Sequence, residues 1–291
     1  MRDTLGLETI TNKLEKSIKA ELDKSGLMYR LFSRVKSVDS INNKIEKKDY
    51  RSKKKKITDI IGIRITLYFK DDVDLLYSLL KQKKNFDHES TDTYSVDEFK
   101  PVRCNLTFNL NEAFSNEAKT ILGESIDVID TKYEIQIRTV LSEGWHEVEH
   151  DLRYKCKEDW IGHDDLNRNL NGIFATLETS EFSMLQMFEN LTYRHYKQNK
   201  IEPLIRTKFR LRLKNENLNS KIRSLLTSDK ELMKQFFKVD RSKFLFSLHT
   251  SKISIPLTID NLVLLVNHFE IKNHEIRKFE SEFVKGEFEL L

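Results

Sequence analysis

Three short stretches of this chain gather residue types that metal and polyphosphate chemistry employs. The first holds Arg34, Lys36, Ser40 and Lys44 within eleven residues. Ser37 is placed to cap a helix there, and such a helix puts Ser40 and Lys44 on one face. Two cations at a strand end, a helix N-terminus and a further Lys one turn on make a cradle for a triphosphate. A solvated, charged helix is the plainer reading of the same pattern. The second stretch, Thr58-Asp59-Ile60-Ile61-Gly62-Ile63-Arg64, sets a carboxylate at the mouth of an apolar strand and a guanidinium pointing out of it. Hard cations such as Mg²⁺ take carboxylate oxygen and share their coordination with substrate phosphates, so Asp59 is a candidate metal ligand; an ordinary strand-entry Asp is the alternative. The third stretch alternates Glu134, Gln136 and Arg138 with Ile135 and Ile137 and runs on into Trp145, His150, Tyr154 and Lys155. An acid, an amide and a base on one strand face need a ligand, a metal or open water to balance them.

Other patterns compete for attention. His146-Glu147-Val148-Glu149-His150 satisfies H-E-x-x-H on an expected helix, the spacing of a zinc peptidase, although no third ligand stands out downstream. Lys47, Lys48, Arg51 and Lys53 to Lys56 form a basic run able to hold a phosphate backbone or simply to solvate a loop. The whole chain carries 50 Lys and Arg against 46 Asp and Glu, a bias too slight for a general nucleic-acid coat. Cys104 and Cys156 stand far apart and suggest neither a disulfide framework nor a zinc knuckle, which fits a cytoplasmic protein. The most apolar window, residues 262–269, is too short to span a bilayer, and no export segment is expected.

Positioning these groups requires a sheet with one polar face. Alternation predicts strands at residues 30–36, 63–69, 102–110 and 133–139, with helices at 37–48, 73–83 and 140–154 between them. Ile10, Leu14, Ile18 and Leu22 mark one stripe of an N-terminal helix over 5–24. The expected class is α/β (α+β), with helices on the apolar face and a charged cleft on the other. Residues 166–198 read as a long helix, a boundary is expected near Pro203, and short runs at 208–213, 244–248 and 253–257 read as strands beside a helix at 261–269. The expected organisation is a catalytic part over 1–165, a helical extension over 166–200 and a small mixed domain over 201–291.

In order and spacing, RVKSVDSINNK, ITDIIGIRI and YEIQIRT followed by WHEVEHDLRYK resemble the synthetase domain of the RelA/SpoT family, across roughly residues 30–155. The resemblance implies a nucleotidyltransferase-like mixed sheet and an Mg²⁺-dependent diphosphotransferase. Such an enzyme moves the β,γ-diphosphate of ATP to a ribose 3′-hydroxyl of GDP or GTP, giving a (p)ppGpp-type alarmone. Residue by residue it assigns Arg34, Lys36, Ser40 and Lys44 to the donor, Asp59 to the metal and Arg64 to phosphate. Glu134 becomes the acid that supports Mg²⁺ or activates the acceptor hydroxyl, and Gln136, Arg138, His150 and Lys155 belong to the closing motif. The family's acceptor loop, Gly-Tyr-Arg-Ser-x-His, is not kept: Arg103 remains, but Val102 offers no aromatic face to a purine. Tyr94 and Glu143 are the candidates to replace the missing base contacts. Diphosphate transfer to the 3′-end of tRNA, as in toxic relatives, and an inert binding module that keeps the fold are the alternatives. The resemblance also leaves room for a homo-oligomer, and residues 201–291 for a regulatory partner.

Overall fold

The computed structural model describes residues 5–48, 56–91, 104–123, 127–213, 217–251 and 253–290. Two compact units emerge: residues 1–19, 29–68 and 76–179 form the first, and 20–28, 69–75 and 180–291 the second.

The first unit is built on a five-stranded sheet of β1 (Tyr29–Val35), β2 (Ile61–Leu67), β3 (Phe86–Thr91), β4 (Cys104–Asn109) and β5 (Lys132–Thr139), in the order β1-β2-β5-β4-β3. β2 and β5 run parallel at its centre, and every other neighbouring pair is antiparallel. Alternation decides which way each residue faces. Ile61, Ile63, Ile65 and Leu67 of β2, Tyr133, Ile135 and Ile137 of β5, and Leu106 and Phe108 of β4 are all buried. Leu7, Ile10, Leu14 and Ile18 of α1 (Leu5–Ser25) are buried as well, so the predicted stripe is a core stripe. α1 lies close to α4 (Glu112–Leu122), since a Cβ on Gly6 would come within 2.6 Å of Ile121 Cδ1. Glu15 of α1 accepts a hydrogen bond from Ser33, which alternates with Arg34 on β1. The apolar side of the sheet is thereby covered, and the other side is open.

α2 (Val38–Lys48) and α3 (Lys70–Lys81) lie between strands and α5 (Val140–Glu149) follows β5, close to the expected spans. Ser37 caps α2 as its type demands, its Oγ accepting from the Ser40 backbone at 3.3 Å. α5 starts in a capping box, with the Thr139 hydroxyl accepting from Ser142 N and Ser142 Oγ accepting from Thr139 N, each at 3.1 Å. After α5 the chain forms a π-turn over His150–Tyr154 and enters α6 (Asp164–Lys197). Trp145 anchors α5 to the first part of α6 by donating from Nε1 to Leu170 O at 2.9 Å and packing on Phe174.

The second unit overturns part of the expectation. Among its described residues there is no strand; α7 (Ile201–Phe209), α8 (Ser220–Ser228), α9 (Lys230–Lys238), α10 (Arg241–Thr250), α11 (Ile259–Val266), α12 (His274–Arg277) and α13 (Glu282–Glu289) make residues 201–290 helical rather than mixed. The run at 244–248 lies inside α10, where Phe244, Leu245 and Leu248 are buried at helical spacing. Residues 253–257 have buried Ile253 and Ile255 but no ladder partner, and 208–213 is the end of α7 followed by irregular chain. Short apolar runs fit either period, and here the helical one won. Pro203 sits in the first turn of α7, where its missing N–H is harmless. No described helix is long and apolar enough to cross a membrane.

Inside this unit a buried charge cluster joins the N-terminal turn of α3 to the ends of α7 and α10. Asp72 is fully buried, and Arg241 Nη1 meets its Oδ1 at 2.6 Å and Asp71 Oδ2 at 3.2 Å. Arg241 Nε donates to Phe209 O at 2.8 Å, and Arg210, in the left-handed region at φ 48°, pairs with Asp71.

Candidate active site

The open side of the sheet forms a cavity of about 580 Å³ in the first unit. Strand register arranges its floor in rows. Arg34, Gly62 and Glu134 form one row; Phe32, Arg64 and Gln136 the next; Arg30 and Thr66 the third, whose register continues to Arg138 outside the cavity lining. Gly144 and Glu147 of α5 contribute to one wall, and Asp59, just ahead of β2, closes the end nearest Lys36. That end is fixed by the backbone, with Lys36 N donating to Ile60 O at 2.8 Å and Ile57 bridging to Ile129.

Two charge clusters border the cavity, each with one member, Lys44 or Arg138, outside its lining. At the first, Lys36 Nζ and Lys44 Nζ both reach Asp59 Oδ2 at 2.7 Å, so one carboxylate oxygen serves two ammonium groups. Burial alone would raise the Asp59 pKa, but the hydrogen bonds from Lys36 and Lys44 together hold it below the usual carboxylate value. For Lys36 burial dominates and lowers its pKa, because half a share in one carboxylate does not offset lost hydration. Two ammonium groups, with Arg34 beside them, thus gather around one carboxylate oxygen, a concentration of cations that suits an anion.

The second cluster is balanced internally. Arg64 Nη1 donates to Glu143 Oε1 at 2.7 Å and to Glu147, and its Nε to Gln136 Oε1 at 3.4 Å. Arg138 Nη1 donates to Glu143 Oε2 at 3.1 Å. Both Glu143 oxygens are thus taken by guanidinium groups, an arrangement different from a carboxylate waiting for a base edge. Glu134 Oε1 accepts from Gln136 Nε2 at 2.9 Å.

Mg²⁺ fits the first cluster by the chemistry of its donors. Asp59 Oδ1 is buried with no hydrogen-bond partner, and Glu134 lines the same cavity. Among the described residues no group of three or more His, Cys, Asp or Glu side chains could by itself hold a metal, which matches a hard cation bound by one or two carboxylates and completed by substrate oxygens.

The pH dependence of anion binding follows from Lys36. Its ammonium is the binding form and burial holds its pKa below the ordinary lysine value, so affinity for inorganic triphosphate is expected to fall with rising pH before an ordinary lysine would lose its proton. Lys36→Met should bind more weakly and lose most of that slope. Equal slopes in the two proteins, measured by calorimetry, would exclude Lys36 as the titrating group.

The other sequence candidates are placed as follows. Ser40 is exposed and its hydroxyl accepts from Ser37 Oγ at 2.8 Å rather than lining the cavity. His150 and Lys155 both meet Asp151 Oδ1, at 2.9 and 2.6 Å, and are not part of the cavity lining. Tyr94 and Arg103 lie outside the described residues, as do Arg51 and Lys53 to Lys55 of the basic run. His146 of the H-E-x-x-H pattern is buried against Trp145 and Phe174, whereas His150 stacks on Tyr154 and is half exposed. Sequence reasoning missed Glu147, Phe32 and Thr66 as cavity residues. Glu147 was legible as the i+4 neighbour of Glu143 on one helix face, and Phe32 as an apolar residue at a polar parity.

Residues 33–159 match the family described as "Region found in RelA / SpoT proteins". That stretch of the chain resembles a RelA/SpoT-type synthetase domain. That domain contains β1 from Ser33 onward, both carboxylates and all of α5. Over 132 residues the chain is 32% identical to the GTP pyrophosphokinase YwaC of Bacillus subtilis (strain 168), a match covering 44% of this chain and 59% of that protein. The chain thus spans little more than half the length of this curated relative. Among solved structures, small alarmone synthetase 2 from Bacillus subtilis is 24% identical with a TM-score of 0.45, covering 63% of this chain and 92% of that one. Small alarmone synthetase 1 from the same organism, bound to its product pppGpp, is 20% identical with a TM-score of 0.46, covering 63% and 93%. The family match ends before α6, so α6 and all of the later helices lie outside it.

Proposed function

We propose that the RelA/SpoT-type domain is an ATP-dependent nucleotide pyrophosphokinase that transfers the β,γ-diphosphate of ATP to the 3′-hydroxyl of GDP or GTP. The observation that carries this reading is the convergence of Asp59, Glu134, Arg34, Lys36 and Arg64 on one cavity. In this reading Lys36, Lys44 and Arg34 supply the anion site, and Arg64 and Arg138 neutralise charge farther along the sheet. Asp59 and Glu134 would hold Mg²⁺, which when bound draws charge off the phosphate oxygens. The acceptor's 3′-oxygen bonds to the β-phosphorus, the bond from that phosphorus to the oxygen bridging to the α-phosphorus breaks, and AMP departs. In this reading Glu134 takes the hydroxyl proton. Positioning and charge neutralisation supply most of the rate in such transfers, and the cavity provides both from rigid strands. Gln136 links the two clusters, donating to Glu134 and accepting from Arg64.

The relative named GTP pyrophosphokinase supports diphosphate transfer with GTP as acceptor; ATP as donor is argued from the reaction class. Incubating the protein with Mg²⁺ and β-labelled ATP, separately with GDP, GTP and deacylated tRNA, tests it. Label is expected on GDP or GTP with release of AMP. Label on tRNA alone would move the acceptor to a polynucleotide end, and no turnover with any acceptor would leave a binding module.

A further inference from the structure

The second unit holds a cavity of its own, of about 410 Å³, whose lining lies outside the family match except for Asp71. Asp71 of α3 meets Lys208 and Arg210 from the end of α7 and Arg241 from the start of α10 there. Arg210 and Arg241 are each more than nine-tenths buried and both pair with Asp71 Oδ2. Their hydrogen bonding is nevertheless incomplete. Among the described residues Arg210 Nε and Arg241 Nη2 are buried without an acceptor, and Asp71 Oδ1 is buried without a donor. Lost hydration holds the Lys208 pKa below the ordinary lysine value; Arg210 acts in the same sense, and Asp240 and Glu189 oppose it through charge alone rather than through a hydrogen bond. Those two carboxylates have other duties. Asp240 caps α10 by accepting from Lys243 N at 3.0 Å, and Glu189 accepts from Gln186 at 3.2 Å. The first-turn N–H groups of Arg241 and Ser242 have no partner within the helix, and the α10 dipole adds to the positive field.

Buried polar atoms without partners destabilise a fold, so this set calls for an occupant. One that satisfies two orphan donors and one orphan acceptor must accept twice and donate once. Sulfate only accepts, and an ammonium only donates. Water meets that count, but it brings no charge to Lys208 or to the helix end. We infer that this cavity binds a protonated phosphate group, free or as a monoester, whose bare oxygens are held by Arg210, Arg241 and Lys208 and whose hydroxyl donates to Asp71 Oδ1. Phe237, stacked on Tyr196 with ring centroids 4.7 Å apart, gives the cavity an apolar wall for the carbon part of an ester. The inference does not depend on the diphosphate-transfer reading of the first unit.

Calorimetric titration of the whole protein at a pH of about 6 with inorganic phosphate, glycerol 3-phosphate and sulfate tests the inference. A monoester keeps its second proton in roughly half of its molecules there, whereas sulfate has none to give. Phosphate or the monoester is expected to bind at least about ten-fold tighter than sulfate, and the tighter of the two names the source. Lys208→Met, which spares the arginine and aspartate cluster, is expected to weaken that binding about ten-fold. Asp71→Asn, with its melting temperature measured alongside, should bring sulfate level with phosphate, because the two arginines claim its single oxygen and leave its NH₂ to the anion. Lys36→Met, weakened at the active-site cations, should keep the preference of the wild type. Sulfate that binds wild-type protein as tightly as phosphate overturns the inference, as does undiminished affinity in Lys208→Met. Loss of all phosphate binding in Lys36→Met would put the anion in the first unit and overturn it equally.

Discussion

Asp59→Asn is expected to slow diphosphate transfer by on the order of 10³ while leaving the protein folded and its grip on free triphosphate undiminished. The two outcomes have different physical roots. The Asn side chain keeps the shape but not the charge, so the buried Oδ1 that has no protein partner is no longer part of an anionic ligand for a hard cation. At Oδ2 the substitution releases two ammonium groups from their shared counter-charge. Both lysines retain access to water, so their repulsion is screened, and an incoming polyphosphate meets the two cations without a carboxylate competing for them. Glu134→Gln is expected to match the loss of rate without touching the lysines, because its contact is with Gln136. More than about a tenth of wild-type turnover in Asp59→Asn, from initial rates of AMP release, would remove it from the reaction. Loss of triphosphate binding in that variant would instead give Asp59 a structural duty.

Arg241→Ala is expected to destabilise the second unit by about 3–5 kcal/mol, the usual effect of removing one partner from a buried ion pair. Without it Asp72, fully buried, keeps no cation in contact, and Phe209 O loses its donor. Burial already raises the Asp72 pKa, with Arg241 working against that rise. A carboxyl whose pKa is raised on folding favours the folded state most below the ordinary carboxylate pKa, and that advantage is lost as pH rises through the folded value. Removing Arg241 raises the folded value further, so the deficit of Arg241→Ala is expected to shrink as pH falls toward about 4. Replacing the pair together, Asp72→Leu with Arg241→Met, should recover most of the loss. Denaturant unfolding at two pH values checks this, and a single-variant deficit below about 1 kcal/mol would show that the pair contributes little.

What the sequence disclosed depended on whether a segment had one buried face. β2 and β5 pack one side and open the other, so their alternation was plain and placed Arg64, Glu134, Gln136 and Arg138 on a common surface. β3 has the sequence Phe-Asp-His-Glu-Ser-Thr, lies at a sheet edge and carries a register shift between Phe86 and His88, leaving no apolar period to read. α4 was overlooked although Asn111 caps it, because Asn and Glu at its start look like loop. In the cavity, residue types could nominate Lys36, Lys44 and Asp59, but not that one oxygen would serve both lysines. Nor could spacing show that Glu143 is spoken for by Arg64 and Arg138, since that depends on how α5 leaves β5. His150 and Lys155 rest on the resemblance to the closing motif, and the π-turn over the last five residues of the expected helix 140–154 accompanies the pairing of both with Asp151.

The pairing of Arg64 and Arg138 with Glu143 and Glu147 has a bearing on how any anion enters. Those guanidinium groups are not vacant docking points; they tether α5 to the sheet floor. An anion that claims them displaces helix-borne carboxylates, so its arrival is a substitution in which one negative partner leaves as another comes. Such an exchange changes the net number of ion pairs little, which blunts its response to salt, and it sets free two acidic groups on a helix flanking the cleft. Occupancy of the floor and the posture of that helix are in this way a single equilibrium.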